Sequence, residues 1–284
     1  MRSKLFVPGS RPELFAKALA GPADAISLDL EDSVAESAKA TARAQVSAFL
    51  EAVPPAGAKL LIVRVNAPTT PHFEDDLRAV VRPALAIVNI PKCESADELR
   101  AAAALLERAE QAAGVAAPLR ILANIETPRG LRLAAAVAAA HPRVAGLQLG
   151  YLDLFGPLGM DRRDFAAVQA VQFAVRLAAG EAGVFAYDGA WPDLEDETGF
   201  RAEAQLARRL GFLGKSCIHP NQVAVANSVF EPTADEIAQA MRILEAAQSA
   251  HGAFRLDGRM IDAPEIRRAE TLVALSRRMQ IGRA

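Results

Sequence analysis

The sequence predicts a (β/α)₈ barrel, a TIM barrel of the α/β class, followed by a C-terminal helical appendage. Three observations lead there. Short runs rich in Ala, Val, Ile and Leu occur eight times, at Lys4–Val7, Ala25–Leu30, Leu60–Val65, Ala86–Ile90, Ile121–Ile125, Val144–Leu149, Val184–Tyr187 and Phe212–Ile218. Longer charged segments of helical period lie between them, among them Ser95–Ala113, Pro128–Ala140, Asp161–Gly180 and Gly199–Leu210. Apolar strands alternating with amphipathic helices imply a parallel sheet covered by helices. Finally, the 284 residues contain no Pro/Gly-rich linker that would cut the chain in two. Eight such units suit a closed barrel of about 250 residues better than an open doubly wound sheet.

Helix-start signals support the register of these elements. Thr127-Pro128, after Ile125-Glu126, is an N-cap followed by proline at the first helical position. Ser10-Arg11-Pro12-Glu13 and Ser95-Ala96-Asp97-Glu98 carry similar signals. After Pro220 the pattern changes: a helix near Ala234–Ala250 precedes Phe254–Pro264, in which Asp257-Gly258 reads as a tight turn, and a last helix. The predicted division is a catalytic barrel over 1–230 and an appendage over 231–284.

Composition excludes several classes. Hydrophobic residues are 51% of the chain and aromatics 5%, so the core is built mainly from small and branched aliphatics. A net charge of −2 gives no bias towards nucleic acid or an anionic membrane. No apolar stretch reaches the roughly 18 residues of a membrane span, and Met1–Pro8 does not read as a signal peptide. Cys93 and Cys217 are far apart, which suggests neither a disulfide framework nor a zinc site and fits a reducing cytoplasm. No GxGxxG or GxxxxGK[ST] occurs, so dinucleotide and P-loop readings are set aside.

In a barrel of this kind the chemistry sits at the C-terminal ends of the strands. Asp29, Glu31 and Asp32 end the second run, Arg64 and Asn66 the third, Lys92 the fourth and Glu126 the fifth. Asp153 follows the sixth run, Asp188 the seventh, and Lys215 and His219 flank the eighth. Carboxylates without a His/Cys cluster suit a hard, oxygen-binding cation such as Mg²⁺, which takes one or two protein carboxylates; Glu126 and Asp153 are the candidate pair. A structural reading stands beside each: a carboxylate caps a helix or pairs with a base, and Thr127 already caps the helix after Glu126. Arg64, in a buried strand, either grips a carboxylate of the substrate or pairs permanently with Asp29 or Asp32. Lys92 is a rim cation or a Schiff-base lysine.

The joint order of several motifs resembles the citrate lyase β-subunit family, within the HpcH/HpaI aldolase group. The matching stretches run nearly end to end. They are Arg2–Gly9, Leu28–Val34, Val63–Asn66, Ile90–Lys92, Ile125–Thr127, Gly150–Leu154, Gly211–Lys215, Ile218–Pro220 and Asp257–Asp262. The resemblance implies a carbon–carbon lyase that handles citryl-, malyl- or citramalyl-type thioesters, with Glu126 and Asp153 on Mg²⁺ and Arg64 on the carboxylate of an α-keto acid such as oxaloacetate. Lys92 and Asn66 are the further substrate-binding candidates, and Asp29 and Asp32 would orient metal-bound water. It also implies a homotrimer or hexamer in which Asp262 reaches a neighbouring subunit's site as proton donor. The thioester carrier would be CoA or an acyl-carrier protein, its phosphates met by Lys4, Arg11 or Lys215. Tyr151-Leu152 departs from the small-then-acidic pair usual before the metal aspartate, which bears on the substrate pocket. The rival expectations are a class II pyruvate-type aldolase acting on free acids and a non-catalytic barrel subunit of a larger lyase complex.

Overall fold

The computed structural model describes residues 1–54, 59–250 and 252–281. The chain divides into two compact units, Met1–Phe230 and Glu231–Ala284.

In the first unit eight parallel strands run in the order β7-β6-β5-β4-β3-β2-β1-β8. They are β1 Ser3–Pro8, β2 Ala25–Asp29, β3 Leu60–Arg64, β4 Ile87–Ile90, β5 Arg120–Ile125, β6 Val144–Leu149, β7 Phe185–Tyr187 and β8 Lys215–Cys217. A bridge between Asp188 and Lys215 brings β7 to β8, so the sheet curls into a nearly closed barrel. The surrounding helices are α1 Phe15–Ala20, α2 Lys39–Ala52, α3 Phe73–Val80, α4 Ala96–Ala113, α5 Pro128–Arg132, α6 Ala134–Ala138, α7 Tyr151–Phe155, α8 Phe165–Glu181, α9 Glu197–Arg209 and α10 Pro220–Phe230.

Strand alternation divides the side chains in two. Outward residues such as Leu5, Ile26, Leu28, Val63, Val88, Ile121 and Leu147 pack with the helices in the main core. Inward residues form tiers. Ala25, Ile62, Ile87 and Leu122, with Met1, Leu60 and Phe185 against them, plug the lower end. Above them come Lys4, Ser27, Asn89, Asn124, Gln148, Tyr187 and Ser216, all buried and mostly polar. Asp29 and Glu126, two residues beyond Ser27 and Asn124, and Arg64 at the end of β3 form the upper tier.

Several helix starts follow the local chemistry. Thr127 accepts from the Gly130 amide, Ser95 from Glu98, and Asp164 from Ala166 and Ala167. Three expectations need correction. Ser10 caps nothing; a 3₁₀ turn, Pro12–Leu14, leads into α1 with Arg11 at the cap position and no side-chain bond there. Pro128–Ala140 is two short helices, divided where Leu133 leaves helical geometry at φ −104°, ψ 13°. The eighth strand is only Lys215–Cys217: Gly211 has φ +84°, and Gly214 lies so close to the Met1 and Arg2 carbonyls that a Cβ would sit 2.3 Å from the first.

The second unit holds α11 Ala234–Ala247, the antiparallel pair β9 Phe254–Leu256 and β10 Arg259–Ile261, and α12 Ala263–Ile281. Thr233 and Glu236 form a capping box at the start of α11. Asp257 and Gly258 join the two strands with φ 49° and 79°, the left-handed pair that a two-residue hairpin turn requires. Ala240, Ile243, Ile261, Ala269 and Val273 make a small core of its own. Among the described residues no helix is long and apolar enough to cross a membrane.

Candidate active site

A cavity of about 380 Å³ opens at the C-terminal mouth of the barrel. Its wall includes Phe6, Asp29, Asp32, Arg64, Asn124, Glu126, Gln148, Gly150, Leu152 and Asp153. The seven-strand rim read from the sequence thus converges only in part: strands β1 to β3, β5 and β6 supply its chemistry.

Glu126 ends β5 and is 1% exposed. Its Oε1 accepts from the Lys92 backbone amide at 2.7 Å, and its Oε2 accepts from Asn124 Nδ2 at 3.3 Å. Among the described residues no cation lies within ion-pair distance of it. Burial, then the nearby Glu31 and Asp153 charges, outweigh the pull of Arg64 and raise its pKa to about 7. The amide contact depends on Lys92 holding φ 52°, a left-handed conformation uncommon outside glycine. Gly150 completes the cradle: a Cβ there would lie 2.3 Å from Glu126 Oε2. Asp153, on the first turn of α7, borders the same cavity and has no hydrogen-bond or ion-pair partner among the described residues.

This donor set fits a hard divalent cation. Among the described residues no group of three His, Cys, Asp or Glu could enclose a metal. Two carboxylates on one cavity wall are instead the number Mg²⁺ takes, with water and substrate completing its shell. A buried carboxylate without a cationic partner is costly, and a bound cation would relieve that cost.

Arg64 is not a free fork. Its Nε and Nη2 each donate to Asp29 at 2.7 Å, and Nη1 lies 2.9 Å from Glu31 Oε2, an ion pair without hydrogen-bond alignment. Burial works against the guanidinium, but these acids hold its pKa above the ordinary value. Burial likewise works against Asp29, yet Arg64 keeps its carboxyl below the usual range. Asp29 therefore spends its carboxylate on Arg64 and on the Glu31 and Ser33 amides, which corrects the expectation that it orients metal-bound water. Arg64 presents to the cavity only the N–H groups left over on its η nitrogens. Asp32, half exposed, stands 3.5 Å from Nη1.

Two other expectations change. Asn66 does not border the cavity: its amide nitrogen donates to Leu30 O and Asp76, and its oxygen accepts from Lys39 at 2.6 Å. It ties β3 to the helices outside, with no polar atom left for a substrate. Lys92 Nζ is tied to Glu31 at 2.9 Å and lies off the cavity wall; its backbone, rather than its ammonium, serves the site. Burial opposes the Lys92 charge, but the Glu31 bond and charge raise its pKa, the reverse of what a Schiff-base lysine needs. Lys4 and Lys215 are 0% exposed and cannot meet carrier phosphates. Arg11 is exposed and pairs with Glu13.

Asp188 and Lys215 belong to a separate buried cluster between β7, β8, α7 and α9. Lys215 donates to Asp188 at 2.7 Å and to Glu203 at 2.6 Å, Arg162 grips Glu203, and the Tyr151 hydroxyl donates to Asp188 at 2.6 Å. Tyr151 thus turns its polar end away from the cavity, while Leu152 borders it at 56% exposure.

Asn124, Gly150 and Gln148 were not singled out as site residues from sequence, and Glu31 was read only as one of the rim acids. The inward parity of Asn124 and Gln148, two residues before Glu126 and Gly150, is the signal that points to the latter pair. Asp262 lies in the second unit, just before α12, where its carbonyl accepts the Ile266 amide.

The model of the HpcH/HpaI aldolase/citrate lyase family matches residues 2–220. The chain belongs to this family. An L-malyl-CoA/beta-methylmalyl-CoA lyase of Cereibacter sphaeroides is 36% identical, over 96% of this chain and 93% of its own. A citrate lyase subunit beta-like protein of Deinococcus radiodurans is 39% identical, over 96% of both chains. Among solved structures, protein CitE of Mycobacterium tuberculosis in complex with magnesium, acetoacetate and coenzyme A is 35% identical with a TM-score of 0.78. It covers 97% of this chain and 99% of its own. The family's fold and the barrel described above agree, and the Glu126–Gly150–Asp153 wall lies within the matched residues.

Proposed function

We propose that this protein is a Mg²⁺-dependent carbon–carbon lyase that cleaves, or in reverse forms, a 3-hydroxyacyl thioester, giving an α-keto acid and an acyl thioester. The observation that carries the reading is Glu126: a carboxylate 1% exposed, without a cationic partner among the described residues, on one cavity wall with Asp153. Relatives named malyl-CoA lyase and citrate lyase subunit beta, and structures holding magnesium with oxaloacetate or with acetoacetate and coenzyme A, support it.

Glu126 and Asp153 would hold the cation, which supplies Lewis-acid polarisation of the keto-acid carbonyl when bound. Arg64, immobilised by Asp29 and Glu31, offers its remaining N–H groups to the keto acid and so fixes its orientation. Asp32 orients water at the mouth. As the bond between the carbinol and α carbons breaks, the hydroxyl proton passes to the water that Asp32 orients and the carbonyl forms. The bonding pair passes to the thioester as an enolate, which takes a proton at carbon. Asp262 of a neighbouring subunit is the proton donor in this reading, and the appendage over 231–284 is the part that delivers it. Phe165, Phe173 and Leu177, 42%, 54% and 59% exposed on α8, support self-association as a trimer or hexamer. Two buried, unpaired cysteines support a reducing, cytoplasmic setting.

The test is lyase assay of citryl-, malyl- and citramalyl-CoA with and without Mg²⁺. Release of a keto acid that requires Mg²⁺ is expected. Turnover that persists in chelator, or borohydride trapping of substrate on Lys92, would remove the reading. Cleavage of free hydroxy acids without a thioester would place the enzyme among the class II pyruvate-type aldolases.

A further inference from the structure

The middle tier of the barrel contains a lysine with no acid to pair with. Lys4 is 0% exposed and points inward from β1 beneath Arg64 and Glu126. Its Nζ donates to Gln148 Oε1 and sits over the Phe6 ring, 4.1 Å from the centroid. Among the described residues no carboxylate is within ion-pair distance of it. A buried lysine without an acid is unusual and costly to keep.

What it does is fix an amide. The lysine has hydrogens to give, so Gln148 turns its oxygen towards Nζ and its nitrogen away. Gln148 borders the cavity, and its Nε2 forms no hydrogen bond among the described residues. The other donors of that wall are committed in whole or in part: Arg64 to Asp29, Asn124 Nδ2 to Glu126, and the Tyr151 hydroxyl to Asp188. Apart from the Ser33 hydroxyl, Gln148 Nε2 is the side-chain donor left wholly to a ligand. It also lies deep, two residues before Gly150 and one tier below Glu126. A cavity of about 380 Å³ holds a small acid, whereas a carrier the size of CoA has to extend out of it. The deep donor therefore meets the keto-acid fragment.

We infer that Gln148 is a substrate-binding residue whose carboxamide nitrogen donates to a carboxylate oxygen of the bound keto acid, with Lys4 as the positioning residue that holds the amide in that orientation. This rests on the lyase reading above.

Isothermal titration of pyruvate and of oxaloacetate into the Mg²⁺-loaded protein tests it. Gln148→Met is expected to weaken both about 10- to 100-fold, the range for one hydrogen bond to a charged group. Its Mg²⁺ affinity without keto acid should match wild type. Gln148→Glu keeps the size and pairs with Lys4, so its melting temperature should hold, yet it cannot donate; a loss of about 100-fold or more is expected. Lys4→Met frees the amide and weakens binding. If Lys4 acts through Gln148, the double variant Lys4→Met/Gln148→Met binds no more weakly than Gln148→Met alone. Keto-acid binding at wild-type strength in Gln148→Glu, or additive losses in the double variant, would overturn this inference and leave the lyase reading standing. Wild-type protein that binds neither keto acid with Mg²⁺ present would overturn both.

Discussion

Two charged clusters lie at different strands of this barrel, and they differ in one respect. On the β7–β8 side, Asp188 and Glu203 meet Lys215 and Arg162, and every acid is hydrogen-bonded to a base. On the β2–β5 side, Asp29 and Glu31 meet Arg64 and Lys92, but Glu126 meets no cation among the described residues. The first cluster is closed electrostatically and has nothing to offer a ligand. The second holds an uncompensated negative charge on a cavity wall, where a divalent ion would balance it. Charges at strand ends are therefore no guide to a site by themselves; what matters is whether the protein has already neutralised them.

The sharpest way to break this comparison is Glu126→Gln. Losing a cation ligand should cost more than the 10- to 100-fold typical of outer-shell changes, so Mg²⁺ binding and Mg²⁺-dependent turnover should fall to background. The melting temperature should hold or rise, because a costly buried carboxylate is gone. Unchanged Mg²⁺ affinity by titration would place the cation elsewhere.

The opposite cluster should respond in the opposite currency. Lys215→Met leaves Asp188 and Glu203 short of a base, and breaking a buried pair costs about 3–5 kcal/mol. Chemical denaturation should show that loss, while the Mg²⁺ affinity of the folded fraction stays near wild type. A large fall in cation affinity with little loss of stability would mean that the two clusters are not separate.

A third variant asks whether the β2–β5 rim is complete without the second unit. Asp262→Ala should lower turnover by roughly 100-fold, the scale of a general acid, and leave keto-acid binding nearly unchanged. Equal losses in both would assign Asp262 to assembly or folding.

The smallest expected effect concerns pH. Glu126 has its folded pKa raised to about 7, above the ordinary 4.5. The metal-free protein therefore gains stability from the protonated carboxyl that is complete below the unfolded value and lost as pH rises through about 7. Mg²⁺ competes with that proton, so its affinity should climb about tenfold per pH unit below 7 and level off above. A flat profile would show that Glu126 is already ionised in the metal-free protein.

Sequence reading located the site better than it assigned the roles. Glu126 and Asp153 could be named because each lies within a few residues of a strand's C-terminal end. Asn66 and Asp188 occupy equivalent places and were indistinguishable from them, yet one is consumed by Asp76 and Lys39 and the other by Lys215 and Tyr151. Gln148 sat inside an apolar run, where polarity looked incidental, and Lys4 was assigned to carrier phosphates although it is fully buried.

From the sequence alone came everything encoded within one segment: eight apolar runs, their alternation with helices, the caps at Ser95 and Thr127, the hairpin turn at Asp257-Gly258 and the placing of acids at strand ends. Tertiary structure alone decided which charges cancel. The partners concerned are distant in the chain, 35 residues for Asp29 and Arg64 and 144 for Lys4 and Gln148; the pairing of β2 with β3 brings the first two together, and the curling of the sheet brings the second two together. Periodicity is a local property that short-range sterics and burial write into each segment, whereas neutralisation of a buried charge depends on which strand lies beside it.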